Sequence, residues 1–293
     1  MSAVSQSTMP ESLQDRYSLV REKIASAAAR SGRRADEIIL VAVTKFADHE
    51  QIRAMIDMGH RDFGENKVQV LVQHAAMVEE YLARLKLLKT TKRSHPRTGG
   101  ELLSAVRTER SAGVHQAPAE PPETVRWHMI GHLQRNKARK AMEFCRLVHS
   151  VDSLRLAEEL QQIALRRDEV IDVLVQVNCS GEKSKFGCPV PACLPLAEQI
   201  DTMVNVRVRG LMTMAPLTAD AEESRATFAR CRELFEDLRK SGISQGNVNL
   251  LSMGMSTDYE IAIQEGANIV RVGSAIFGEP KVSEDDSPET DED

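Results

Sequence analysis

The feature that most constrains this chain is an eightfold alternation of short apolar runs with longer segments of helical periodicity, from residue 37 to residue 273. The runs are EIILVAVT (37 to 44), RDFG (61 to 64), RWHMIG (126 to 131), RLVHSV (146 to 151), VIDVLVQVN (170 to 178), VRVRGLMT (206 to 213), NVNLLS (247 to 252) and NIVRVG (268 to 273). Nearly continuous apolar runs of this length read as strands covered on both faces, the pattern of a parallel sheet. Helices are predicted between them near 48 to 58, 66 to 88, 134 to 142, 153 to 168, 189 to 203, 219 to 240 and 256 to 265. A further helix at 11 to 30 precedes the first strand, with Leu13, Tyr17, Val20, Ile24 and Ala27 recurring at three- and four-residue steps. Eight strands with helices between them predict one α/β domain over residues 11 to 280, a TIM-type (β/α)8 barrel. An open doubly wound sheet is the alternative.

Two segments fall outside that alternation. Residues 89 to 124, rich in Pro, Gly, Ser and Arg, read as a long insertion in one barrel loop, with ELLSAVRTE (101 to 109) able to form a turn or two of helix. The last 13 residues, KVSEDDSPETDED, carry seven acids against one lysine and almost nothing apolar, so a disordered tail is expected at 281 to 293. That tail dominates the net charge of −5; the other 280 residues sum to about +1. Such a balance excludes the clustered basic surface of a nucleic-acid binder. No run approaches the length of a membrane span, and the first residues lack the apolar core of a secretory signal. Five cysteines without a CxxC pair suit packing in a reducing compartment better than disulfides or zinc. A soluble cytoplasmic protein is expected.

In a barrel of this kind, chemistry sits at the C-terminal ends of the strands. Lys45 follows the first run directly. A lysine stem leaving an apolar strand is partly desolvated, which favours the neutral amine able to attack an aldehyde; the competing reading is a lysine that simply ends its strand in solvent. After the seventh and eighth runs come LLSMGMSTD (250 to 258) and VRVGSAIFG (270 to 278), where barrels commonly hold a phosphate. There Gly254 and Gly273 allow close backbone approach, Ser252, Ser256 and Ser274 offer hydroxyls, and SAIFG begins a short helix whose free N–H groups suit an anion. Arg271, inside the eighth run, either points inward to the ring held by that phosphate or forms a core salt bridge. A guanidinium can only donate, so at a pyridine nitrogen it would keep that nitrogen unprotonated. Asn66 follows the second run and suits either a ring substituent or the cap of the next helix. His128 and His132 are acid-base candidates, with a satisfied core histidine as the plainer reading.

The stretches LVAVTK (40 to 45), GHRDFGENKVQ (59 to 69), WHMIGHLQRNK (127 to 137), VHSVDS (148 to 153), VLVQVNCSGEKSKFG (173 to 187), VRGLMTMAP (208 to 216) and LSMGMSTDYEIAIQEGANIVRVGSAIFG (251 to 278) occur in an order that resembles the pyridoxal phosphate homeostasis proteins. These are small barrels of the alanine racemase N-terminal-domain type. The resemblance covers about residues 11 to 278. It implies pyridoxal 5'-phosphate as cofactor, Lys45 as its Schiff-base lysine, Asn66 beside it, Ser252, Gly273 and Ser274 at the phosphate, and Arg271 at the ring nitrogen. It also implies a monomer that carries or regulates intracellular pyridoxal phosphate without turnover, with apo-forms of pyridoxal phosphate enzymes as possible recipients. The family usually has Pro where this chain has His132; the 89 to 124 loop is longer than usual and the acidic tail is extra. The alternative from another class is a pyridoxal phosphate-dependent amino-acid racemase. Alanine racemases add a C-terminal β domain and use a tyrosine as second acid-base group, whereas Tyr17, Tyr81 and Tyr259 here fall in predicted helices.

Overall fold

The structure is a computed structural model that describes residues 12–93, 124–182 and 184–279. Its strands are β1 (Ile39–Val43), β2 (Asp62–Glu65), β3 (Arg126–Met129), β4 (Cys145–Val151), β5 (Ile171–Asn178), β6 (Val206–Met212), β7 (Leu250–Ser252) and β8 (Ile269–Val272). Each pairs in parallel with the next, and β8 pairs with β1, so the sheet closes on itself. The expected (β/α)8 barrel is therefore the fold, and no barrel strand is left with an open edge. The helices are α1 (Leu13–Arg30), α2 (His49–Asp57), α3 (Val68–Arg93), α4 (Arg135–Ala141), α5 (Leu154–Arg167), α6 (Val190–Asp201), α7 (Arg225–Lys240), α8 (Tyr259–Gln264) and the single turn α9 (Ser274–Phe277). Among the described residues, no helix is long and apolar enough to cross a membrane.

The period of two along each strand divides the apolar residues between two cores. Phe63, Trp127, Val148, Val173, Leu211, Leu251 and Val270 face outward and pack with the helices in one large cluster. Val41, Leu147, Leu174, Met212 and Ile269 face inward and form a small cluster of their own inside the barrel. Each such burial stabilises by about 1.5–3 kcal/mol relative to exposure. Local signals fix the helix starts: Ser12 accepts the Asp15 N–H at 3.1 Å before α1, and Asp48 and Gln51 form a reciprocal capping box before α2. α1 is tied beneath the last elements of the barrel, with Arg16 donating to the Ile276 carbonyl at 2.7 Å and Arg30 paired with Glu260 at 3.1 Å.

Three boundaries differ from the sequence expectation. Helix α3 runs on to Arg93, so the loop expected from residue 89 begins later. Its last turns are Leu, Lys, Thr and Arg with no breaker before Pro96, so nothing in the sequence stops the helix at residue 89. The helix expected at 219 to 240 divides into a 3-10 turn, Ala221–Ser224, and α7. Cys188–Pro189 makes a short parallel pairing with the end of β5 that the sequence did not signal. The segment 101 to 109 and the acidic tail lie outside the described residues. All five cysteines are buried free thiols, as packing residues would be.

Candidate functional site

The mouth of the barrel is organised around the ends of β1 and β8. Ile39 and Val41 face the interior core, and the same parity continues through Val43 to Lys45. Strand β1 ends at Val43: Thr44 keeps the outward alternation, its N–H donating to the Gly64 carbonyl at 3.1 Å and its hydroxyl to Glu65, and the chain then turns, Ala47 N–H donating to the Thr44 carbonyl at 2.9 Å. Lys45 consequently lies in an exposed turn, with Nζ 4.7 Å from the ring centroid of Phe46, itself 57% exposed. The partly desolvated amine expected from the sequence is corrected: the stem leaves the strand two residues beyond its last apolar position, in solvent.

Across the seam from Lys45 lie the two glycine-serine loops. The N–H groups of Gly273 and Ala275 converge on a single oxygen, Ser256 Oγ, at 3.2 and 3.3 Å. This is a pair of amides aimed at one acceptor. A Cβ on Gly273 would meet the Val43 carbonyl oxygen at 3.3 Å, so the bare glycine lets this loop lie against the end of β1. Ser274 opens α9 and is partly buried. Gly254 serves differently from the expected close approach to an anion. At φ +87° a Cβ there would come within 2.7 Å of Tyr259 Cα and 2.6 Å of Ala262 Cβ, so this glycine seats its own loop on α8.

Arg271 is fully inside the barrel, on the inward parity set by Ile269. Its Nη1 donates to Ser252 Oγ at 2.5 Å and its Nη2 to the Thr213 carbonyl at 2.9 Å, both neutral acceptors. Burial pulls its pKa down to about 10, with Asp258 acting in the opposite sense. Ser252 is equally buried, and its hydroxyl lies beneath the glycine-serine loop, engaged with Arg271 on one side and His149 Nδ1, 3.0 Å away, on the other. Beyond His149 the polar contacts continue: its Nε2 is 2.9 Å from His128 Nδ1, and His128 Nε2 is 3.2 Å from Asp62 Oδ1. Burial keeps His149 neutral, its pKa well below the ordinary imidazole value, and the charge of Arg271 acts in the same sense. Burial raises the Asp62 carboxyl, but the bonds from His128 and Arg126 outweigh it and hold the group below the usual carboxylate range.

Comparison with known proteins gives the family. The family model described as "Alanine racemase, N-terminal domain" matches residues 40–280. The pyridoxal phosphate homeostasis protein of Aquifex aeolicus (strain VF5) is 35% identical over 269 residues, covering 91% of this chain and 98% of that protein. Its counterpart in Pseudomonas aeruginosa is 36% identical over 260 residues, covering 88% and 92%. This chain belongs to the pyridoxal phosphate homeostasis protein family. Among solved structures, PipY of Synechococcus elongatus PCC7942 is 29% identical and covers 91% of this chain and all of its own length; it superposes with a TM-score of 0.69 without pyridoxal phosphate and 0.66 with it bound.

Within this homeostasis-protein barrel the remaining sequence candidates sit at the rim. Asn66 is exposed, just past β2, and Lys67 rather than Asn66 immediately precedes α3. Its backbone is held by Gly131, where a Cβ would lie 2.2 Å from the Asn66 carbonyl oxygen. His132 stacks on Phe186 with centroids 4.5 Å apart and planes at 16°, and lies 3.8 Å from Asp152. It bridges the loops after β3 and β5. His128 is the core histidine of the plainer reading, but it is not solitary. The sequence analysis missed His149 and Asp62, which complete its contacts; the available signal was the inward parity of His128, between outward-facing Trp127 and Met129.

Proposed function

We propose that this chain binds pyridoxal 5'-phosphate as a Schiff base on Lys45 and acts as a carrier or regulator of the intracellular cofactor. When bound, the cofactor supplies an aldehyde able to condense with a primary amine. The observation that carries the reading is that the neighbouring strands β1 and β8 bring a lysine, a pair of amides aimed at a single oxygen, and a buried guanidinium to one side of the barrel. These donors fit a phosphorylated pyridine aldehyde. Lys45 Nζ would take the aldehyde carbon, Gly273 and Ala275 N–H with Ser256 and Ser274 would hold the phosphate, and Gly254 would fix the shape of that loop. Arg271, with Ser252 behind it, would face the ring nitrogen as a pure donor and leave it unprotonated, which makes the ring a weak electron sink. Asn66 would border the ring substituents. The homology to proteins named for pyridoxal phosphate homeostasis, and to PipY with pyridoxal phosphate bound, supports the same assignment.

The relatives are named homeostasis proteins rather than enzymes. A binding role without turnover is further supported by the tyrosines. Tyr17 Oη pairs with His60 Nδ1 at 3.1 Å, Tyr81 Oη donates to Asp57 at 2.7 Å, and Tyr259 is buried as the first residue of α8, so all three lie on helices. Apo-forms of pyridoxal phosphate enzymes are the natural recipients of a carried cofactor, and a soluble cytoplasmic monomer is the form this reading expects.

The decisive test is borohydride reduction of the protein loaded with pyridoxal phosphate, followed by peptide mass spectrometry. A phosphopyridoxyl adduct on Lys45, absent from Lys45→Ala, is expected. Failure to develop any visible absorption band on adding pyridoxal phosphate would overturn the assignment. Incorporation of deuterium at the α-carbon of alanine or serine would overturn the non-catalytic part alone.

A further inference from the structure

The polar contacts inside the barrel form one continuous line, Asp62 to His128 to His149 to Ser252 to Arg271, and elementary hydrogen-bond accounting orients every proton along it. At one end, a guanidinium only donates, so Ser252 Oγ accepts from Arg271. The Ser252 hydrogen then needs an acceptor, which His149 Nδ1, 3.0 Å away, provides when it carries no proton. His149 is neutral, so its hydrogen is on Nε2 and points to His128 Nδ1 at 2.9 Å, which must also be bare. His128 therefore carries its hydrogen on Nε2 and donates to Asp62 Oδ1 at 3.2 Å. At that far end the carboxylate is an acceptor only, and Arg126 clamps it through both oxygens at 2.7 and 2.5 Å, which fixes its orientation. Reasoning from either end gives the same two tautomers. With His149 reversed, Ser252 would face two donors and its own hydrogen would lack an acceptor among its described contacts.

We infer that Asp62 is a positioning residue for Arg271: through two histidines locked as neutral Nε2–H tautomers, it keeps a lone pair of Ser252 directed at the guanidinium. The inference rests on the reading that Arg271 faces the cofactor ring. Asp62 stands at the start of β2, at the opposite end of the barrel from Lys45, and its side-chain contacts among the described residues are with His128 and Arg126. Its influence is relayed because each intervening group is buried and has its partner already specified.

Nitrogen-15 NMR of the histidine side chains in the cofactor-free protein tests the line itself. Both His128 and His149 should show a protonated Nε2 and a bare Nδ1 at neutral pH. An Nδ1–H or an imidazolium at His149 would overturn the inference whether or not the protein binds pyridoxal phosphate. The link to Arg271 is tested by titrating pyridoxal phosphate into Asp62→Asn, Ser252→Ala and the double variant. Asp62→Asn should weaken binding roughly tenfold and shift the visible band of the bound cofactor. In the Ser252→Ala background the same change should add little. Fully additive losses, or an Asp62→Asn variant that binds with unchanged affinity and band position, would overturn the positioning role.

Discussion

Strand β2 carries a carboxylate at each end of its four residues, and the two lie on opposite sides of the barrel wall. Asp62 faces inward and meets His128; Glu65 faces outward and meets His74 Nδ1 at 2.8 Å, between the sheet and α3. Both are carboxyl–histidine pairs, yet they differ in what lies beyond the histidine. The inner pair continues to Arg271, whereas the outer one is a local knot of Glu65, His74 and the Thr44 hydroxyl, with one Glu65 oxygen buried and unpartnered among the described residues. Residue type does not distinguish them; parity does. The interior of a closed barrel is a shared space where side chains from distant strands meet, while the outer face offers each strand only its own helices.

On the proposed assignment the inner line serves the site and the outer knot serves stability. Acid should act most strongly, because burial holds His60 and His149 neutral. His60, outside the barrel between Tyr17 and Phe63, has its pKa lowered to about 4 by burial. The unfolded chain binds that proton more readily. The contribution is therefore fully present above the ordinary imidazole pKa of about 6.5 and is lost as pH falls toward 4, on the order of 3 kcal/mol. His149 adds loss of the same sign, and Asp62 adds its own only at lower pH, as its carboxylate protonates. Urea unfolding near neutrality and near pH 4 reads the difference; equal stability would remove the buried neutral histidines from the account.

Glu65→Ala comes next. It strips the acceptor from two buried donors and should cost about 2 kcal/mol while leaving the visible band of bound pyridoxal phosphate in place. A lost band with stability intact would invert the comparison. Ser252→Ala should cost about 1 kcal/mol in unfolding and weaken cofactor binding as well, the two effects appearing together because the inner line serves both. Lys45→Ala should change unfolding by less than about 0.5 kcal/mol, as an exposed side chain does, although covalent retention of the cofactor disappears. Thermal melts of the cofactor-free variant separate the two outcomes.

Much of this was legible in the sequence. The apolar runs at 37 to 44 and 170 to 178 gave the buried strands because two-sided burial leaves no polar face. The inward direction of Arg271 follows from alternation with Val270 and Val272. What escaped was contact between inward side chains of different strands. His128 meets Asp62, 66 positions away, and His149 meets Ser252, 103 positions away. Nothing local encodes such pairs; they exist only once the sheet has closed. Lys45 had two readings in the sequence, a partly desolvated amine and a lysine ending its strand in solvent, and the turn closed by Ala47 N–H on the Thr44 carbonyl selects the second.

One glycine at the rim sets a limit on how the mouth can be re-engineered. Where Gly131 crosses Asn66, the two loops touch main chain to main chain, and any side chain at 131 must displace the loop that carries Asn66. A saturation library across this region should thus tolerate many residues at exposed Asn66 and almost none at Gly131. The position with least freedom at the mouth would then be one that offers a ligand no side chain at all.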